Sequence, residues 1–397
     1  MLDIARLKRL NGRYAIVGVG YTPQGRIPKR SATSFYVEAS INAIRDAGLT
    51  KEEIDGLICY RHFKSLKNEA EITPYLIAQH LGIQPSYIGQ EANCARNQLV
   101  TAISLLEAGF CTHVLIVYGD NALSGRRTFI DEVTHSEHFG YNEAYGMFGP
   151  IAGYALAARR GMTEFGTGPD TWLEIALNQR QWAHLNQRAM LHDAPLTRET
   201  YLAAPFIVEP FRSADACLIA DGGRAYVVTS TERARDLLHP PVLILGIAEA
   251  NPSVDINQST FMAGQTGAKQ AGPIALEMAG ITLDDIDVCE IYDCFTYTVE
   301  LTMQDYGFYR PGEARSFFGE GKTAPGGKLP VNTSGGLLAE AYHMGLTPLT
   351  EGVMQLMGRC GDRQLGLLPG TKKPEIVLCS DNGGVFQTHS TIILGKL

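Results

Sequence analysis

The sequence predicts a duplicated α/β protein with helices on both faces of largely buried sheets. Three observations carry this reading. Short, apolar, β-rich runs alternate with longer helix-period runs. One segment recurs later in the chain without a gap, and glycine loops follow several strand-like runs. In order, "YAIVGVG" reads as a buried strand ending in glycines, and "SFYVEASINAIRDAG" as a helix closed by Gly48. "HVLIVYGD" is another buried strand, "PVLILGIAEA" opens a second series, and "EIVLCSDNGG" and "STIILGK" close it.

The recurring segment is "AIRDAGLTKEEIDGLICY" (43–60), matched by "ALEMAGITLDDIDVCEIY" (275–292). Identical residues fall at seven of 18 positions, and each copy reads as helix, glycine cap, a short turn begun by Thr, then strand. "VYGDN" (117–121) is echoed by "LCSDN" (378–382). Two homologous halves are expected, 1–238 and 239–397, divided at the Pro240-Pro241 pair. A loop insert, about 124–212 and rich in Tyr, His, Gln and Arg, should carry its own helices. It either covers a site or serves only as a dimerisation lid.

The formal net charge of −8, with no long basic run, argues against nucleic acid as a ligand. An anionic ligand would need a local basic patch. No run approaches the roughly 18 apolar residues of a membrane span, and the first residues lack the apolar core of a signal peptide. The eight cysteines include no CxxC pair, so neither a zinc site nor a disulfide framework is expected. A reduced, cytoplasmic protein follows.

Cys94 precedes a helix beginning near Ala95, where free N–H groups and the helix dipole favour a thiolate. A buried, inert cysteine is the alternative. Tyr292, Asp293 and Cys294 emerge at a strand's C-terminal end, where open α/β sheets place ligands, although Tyr292 could equally be a core aromatic like its repeat partner Tyr60. "TSGG" (333–336) allows close backbone approach to a ligand. A helix-forming run, broken near Gly345 and Pro348, then carries Tyr342 and His343.

The stretches "EANCARNQLVTAISLLEAGF", "NQRQWAHLNQRA", "IVEPFRSADACLIADGGRAYVV", "IYDCFTYTVELTMQDYGF", "LPVNTSGGLLAEAY" and "NGGVFQTHSTIIL" resemble the thiolase superfamily. The likeness is to its sterol-carrier-protein-type, thiolase-like branch, and it spans nearly the whole chain. It implies a five-layered α/β/α/β/α fold with an inserted loop domain, usually dimeric. Cys94 then stands at the nucleophile position, but "CARN" replaces the usual "CxSG". Where thiolases close the loop with Gly-His-Pro, Tyr342 takes the histidine position and His343 the proline position.

"YDCFTYTV" and "NTSGGLLAEAY" are more similar to the steroid side-chain-cleaving CoA aldolases than to true thiolases. That resemblance implies retro-aldol cleavage of a β-hydroxyacyl-CoA, a steroid side chain for example, releasing a short acyl-CoA and a ketone. Tyr292 and Tyr342 would be the acid/base residues, with Asp293 in the same segment. No acyl-enzyme is needed. A phenol with an ordinary pKa of about 10 is a poor base, so nearby cations, donors or a helix dipole would have to lower it. The alternatives are an acyltransferase that carries the acyl group on Cys94 with His343 as base, and a non-catalytic subunit of the same fold. The resemblance calls for no cofactor in this chain. It implies a homodimer that binds a small zinc-ribbon/OB-fold accessory subunit, any zinc residing on that partner.

Overall fold

The computed structural model describes residues 3–60, 72–91, 95–125, 146–147, 149–253 and 264–396. Eleven strands are assigned among them: β1 (Tyr14–Tyr21), β2 (Gly56–Tyr60), β3 (Tyr87–Glu91), β4 (His113–Asn121), β5 (Phe206–Val208), β6 (Phe211–Arg212), β7 (Asp221–Ser230), β8 (Val242–Ala250), β9 (Val288–Glu290), β10 (Ile376–Gly383) and β11 (Thr388–Lys396). Nine of them hydrogen-bond in the order β3-β2-β4-β7-β1-β8-β11-β10-β9, while β5 and β6 form a small separate pair.

The nine-strand order is a palindrome of two equivalent units. From the β1–β8 join outward, each side runs antiparallel, antiparallel, then parallel. Beyond β2 lies parallel β3, and beyond β9 a parallel bridge from Cys289 to Val331 takes the same place. The join itself is only two residue pairs long, Ala15–Leu243 and Ile16–Val242.

Strand side chains alternate between two cores, as the two-residue period of a strand requires. Ile16, Ile58, Val114, Ile116, Tyr226 and Val228 face an inner core that they share with Ile244, Val377, Ile392 and Leu394. Ala15, Val17, Leu57, Leu115 and Val227 face an outer core under the helix Ala32–Asp46. Leu378 and Ile393 face its counterpart under the helix Ala268–Ala279. The helices Ala95–Glu107 and Leu346–Met357 fill the inner layer and touch strands of both halves. The layers therefore run helix, sheet, helices, sheet, helix, as the family resemblance implies.

The repeat is visible atom by atom. Gly48 and Gly280 both end helices at φ +73°. Thr50 with Glu53, and Thr282 with Asp285, build capping boxes on the following short turn. Asp55 then accepts the backbone N–H groups of Thr112 and His113 at the start of β4, and Asp287 those of Glu375 and Ile376 at the start of β10. Each outer helix lies so close to its sheet that a Cβ on Gly18 or Gly246 would stand 2.3 or 2.1 Å from the carbonyl of Ala43 or Ala275, which are themselves repeat partners.

Two expectations about the "TSGG" region need correction. The segment is a short helix, Gly336–Ala339, followed by non-helical residues and then the helix Leu346–Met357. Tyr342 and His343 therefore lie outside any helix. Pro348 breaks nothing, because it sits in the first turn, where a helix has no N–H bond to lose. The described part of the insert carries the helices Gly149–Phe165, Pro169–His184 and Arg198–Ala203. Among the described residues no helix is long and apolar enough to cross a membrane.

Candidate active site

Tyr292 lies two residues past the end of β9, and its N–H donates to the Ser380 Oγ within neighbouring β10. This fixes its backbone just past the C-terminal end of β9, beside the parallel strand β10. Its hydroxyl lies 3.0 Å from that of Tyr342, with the rings edge-to-face at 70°. The pair faces aromatic and apolar side chains: Tyr154, Phe295, Leu337 and Phe386 are buried there, with Cys294 and Cys217 beside them. Tyr154 comes from the insert. Its ring packs on Phe295 and Phe386 at 4.9 and 5.0 Å, and its hydroxyl reaches Asn382 Oδ1 and the Gly384 carbonyl.

Burial pushes the Tyr292 phenol well above its ordinary range, and the neighbouring Tyr342, Cys294 and Asp381 push it further the same way. Burial also raises Tyr342, followed by Cys217, while the hydrogen bond from Tyr292 pulls back. None of the leading influences on either phenol is a cation. The lowered pKa that the sequence reading asked for is therefore not what the surroundings produce, and both phenols are neutral at physiological pH.

Asp293 is fully buried and turns to the glycine loop. Its carboxylate accepts the N–H groups of Leu337 and Leu338 at 2.8 and 3.2 Å, anchoring the start of the short helix. Burial raises its pKa to about 7 against the pull of those backbone donors. Gly336, at φ +64°, has no room for a side chain, since a Cβ would stand 2.1 Å from Asp293 Oδ2.

His343, the next residue after Tyr342, points elsewhere. Its buried ring lies against Gly222 and edge-on to Tyr118, at 6.4 Å between centroids. Burial, then the charge of Arg224, hold it well below the ordinary histidine pKa, so it is a neutral imidazole. Cys94 lies outside the described residues. The helix that follows it, Ala95–Glu107, seats Leu99, Ala102 and Ile103 in the inner core. Cys294 is a buried thiol raised to about 12 by desolvation.

A buried polar layer holds the loop from below. Thr333 donates its N–H to Glu290 Oε1, and its hydroxyl lies 2.8 Å from both Glu290 and Glu351. Arg363 grips Glu351 with two bonds of 2.9 Å. Burial, then the charge of Glu351, push Glu290 well up, so it stands as a neutral acid. Burial opposes ionisation of Glu351 too, but Arg363 outweighs it and Glu351 keeps its charge. Residue reading missed Tyr154 and the residue after His343, Met344, both of which touch this region. Tyr154 is brought in by the packing of the insert, and no local pattern marks it.

The thiolase C-terminal domain-like family model matches residues 248–396. The chain is 32% identical to the steroid side-chain-cleaving aldolase of Thermomonospora curvata, over 88% of this chain and 91% of that one. It is also 32% identical to the 17-hydroxy-3-oxo-4-pregnene-20-carboxyl-CoA lyase of Mycobacterium tuberculosis, over 88% and 92%. Among solved structures, the Ltp2-ChsH2(DUF35) aldolase superposes with a TM-score of 0.86 at 31% identity, covering 98% of each chain. A duplicated five-layer body, a tyrosine pair packed past the end of β9 and these likenesses lead to one assignment: the chain belongs to the thiolase superfamily, in the branch of sterol-carrier-protein-2-type, thiolase-like enzymes.

Proposed function

We propose that this thiolase-like enzyme is a CoA-dependent carbon–carbon lyase that cleaves a β-hydroxyacyl-CoA by a retro-aldol reaction. The observation that carries the reading is the 3.0 Å contact between two neutral phenols in an aromatic enclosure. Retro-aldol cleavage moves one proton overall, from the β-hydroxyl to the α-carbon. A phenol pair can relay it without either member ever being a stable phenolate. One tyrosine takes the hydroxyl proton as the other delivers its own to the enolate carbon, and the bond between them restores both. The raised pKa values, awkward for a single resting base, suit such a relay.

The apolar enclosure favours a bulky hydrocarbon beside the reacting carbons. The names of the two curated relatives add a steroid side-chain acyl-CoA as the substrate class. For partners, the likeness to the Ltp2-ChsH2(DUF35) aldolase supports an accessory subunit, in line with the zinc-ribbon/OB-fold protein expected from sequence. We place it on a homodimer of this chain.

The test is 17-hydroxy-3-oxo-4-pregnene-20-carboxyl-CoA offered to the protein with and without a co-expressed DUF35 subunit. Ketone release is expected, and Tyr342→Phe should lose most of it while stability changes by about 1 kcal/mol. Near-normal turnover in the phenylalanine variant removes Tyr342 from the reaction. A covalent acyl adduct on Cys94, seen by intact mass, would favour acyl transfer instead. Full activity of the chain alone would dispose of the accessory subunit.

A further inference from the structure

We infer that the Met344 thioether sets the direction of proton flow through the tyrosine pair, making Met344 a positioning residue. The inference rests on the lyase reading above and assigns the two phenols different tasks. The Tyr342 hydroxyl lies 3.1 Å from Met344 Sδ as well as 3.0 Å from the Tyr292 hydroxyl. Each phenol has one proton. If Tyr342 donates to sulfur, its oxygen is free to accept from Tyr292, and all three groups are satisfied. The opposite polarity leaves the sulfur without a donor and turns the Tyr292 proton away from its partner.

Sulfur is a weak acceptor, so it orients the Tyr342 proton without holding it tightly. A developing carbanion can take that proton readily. The sequence of transfers follows. Tyr292 receives the β-hydroxyl proton as its own passes to Tyr342, and Tyr342 delivers its proton to the α-carbon. The O–H electrons become the new C=O bond, the C–C electrons enter the thioester enolate and then the new C–H bond, and both phenols end neutral.

The backbone around Met344 is built to keep the sulfur there. Met344 has φ +55°, a left-handed conformation rare for a side chain of its kind, and is only 7% exposed. Thr347 pins the turn from three sides. Its hydroxyl accepts the His343 N–H and donates to the Ala341 carbonyl, and its own N–H donates to the Met344 carbonyl. The turn thus positions Tyr342 and the sulfur as a unit, two residues apart.

The experiment compares Met344→Leu, Met344→Gln and Tyr342→Phe, each co-expressed with a DUF35 subunit, on 17-hydroxy-3-oxo-4-pregnene-20-carboxyl-CoA, with folding checked by circular dichroism. Leucine keeps the volume but offers no acceptor, so kcat should fall roughly tenfold with KM held within about twofold. Glutamine restores an acceptor and should recover part of the loss. A packing role predicts the reverse order, because a buried amide fits an apolar wall worse than leucine does. Normal kcat in the leucine variant, or a glutamine variant slower than leucine, overturns the inference while a dead Tyr342→Phe leaves the lyase reading standing. Near-normal Tyr342→Phe, or no cleavage by the unaltered protein with its DUF35 subunit present, overturns both.

Discussion

Tyr60 and Tyr292 occupy the same position in the two repeats, yet they do different work. Tyr60 closes the inner core beside Tyr118, with ring centroids 5.5 Å apart. Tyr292 instead meets a second hydroxyl, because the segment 331–345 brings Tyr342 over it. One residue type thus serves as core in one half and as candidate chemistry in the other. Cys94 gives the complementary test at this scale. A retro-aldol reaction needs no acyl-enzyme, so Cys94→Ala should retain measurable ketone release. Complete inactivity, in a variant that still folds, would return the chain to thiolase-type chemistry.

Among the elements, the glycine loop depends most on what lies beneath it. Arg363 neutralises Glu351 inside a layer where both are almost fully buried. Removing one partner strands a charge, so Arg363→Met should cost about 3–5 kcal/mol in chemical denaturation. Adding Glu351→Gln to that variant should recover much of the loss, and strictly additive costs would disprove the coupling. Gly336→Ala probes the same loop from above. Its Cβ collides with Asp293 Oδ2 at a positive φ, so the loop must shift. Turnover should fall further than stability, as judged by kcat against the melting temperature.

Across the whole molecule, buried carboxyls dictate an unusual pH response. Burial raises Asp293 and Glu300 to about 7 and Asp305 to about 6. A folded pKa above the unfolded value means that the native state holds the proton more tightly. That stabilisation is complete below about pH 4 and is lost as pH rises through the folded pKa. His113, His343 and His389 act oppositely, since burial depresses all three, but their contribution fades above about pH 6.5 as the unfolded histidines lose their protons. From pH 6.5 to 8 the carboxyls therefore outweigh the fading histidine contribution, and the melting temperature should fall. An Asp293→Asn/Glu300→Gln variant should flatten that fall, and an unchanged slope would refute the assignment. At this scale we also propose the division at 238/239, which predicts that limited proteolysis between the halves leaves them associated through the shared inner core.

The fold class was legible because it is written in local periodicity. The repeat 43–60/275–292 carries its own caps, turns and strand starts, and each of those is satisfied within a few residues or by the adjacent strand. Tyr342 was legible only by its place after the paired glycines, and the helix expected there was wrong. Propensity favours a helix through "LLAEAYHM", but the turn held by Thr347 and the left-handed Met344 interrupts it. Tertiary structure alone decided that Tyr342 meets Tyr292 while His343, one residue on, turns to Gly222 and Tyr118. It also decided the ionisation of the pair. Sequence shows which groups can titrate, but the pKa depends on desolvation and on neighbours such as Cys217 and Asp381, which reach Tyr342 from distant parts of the chain.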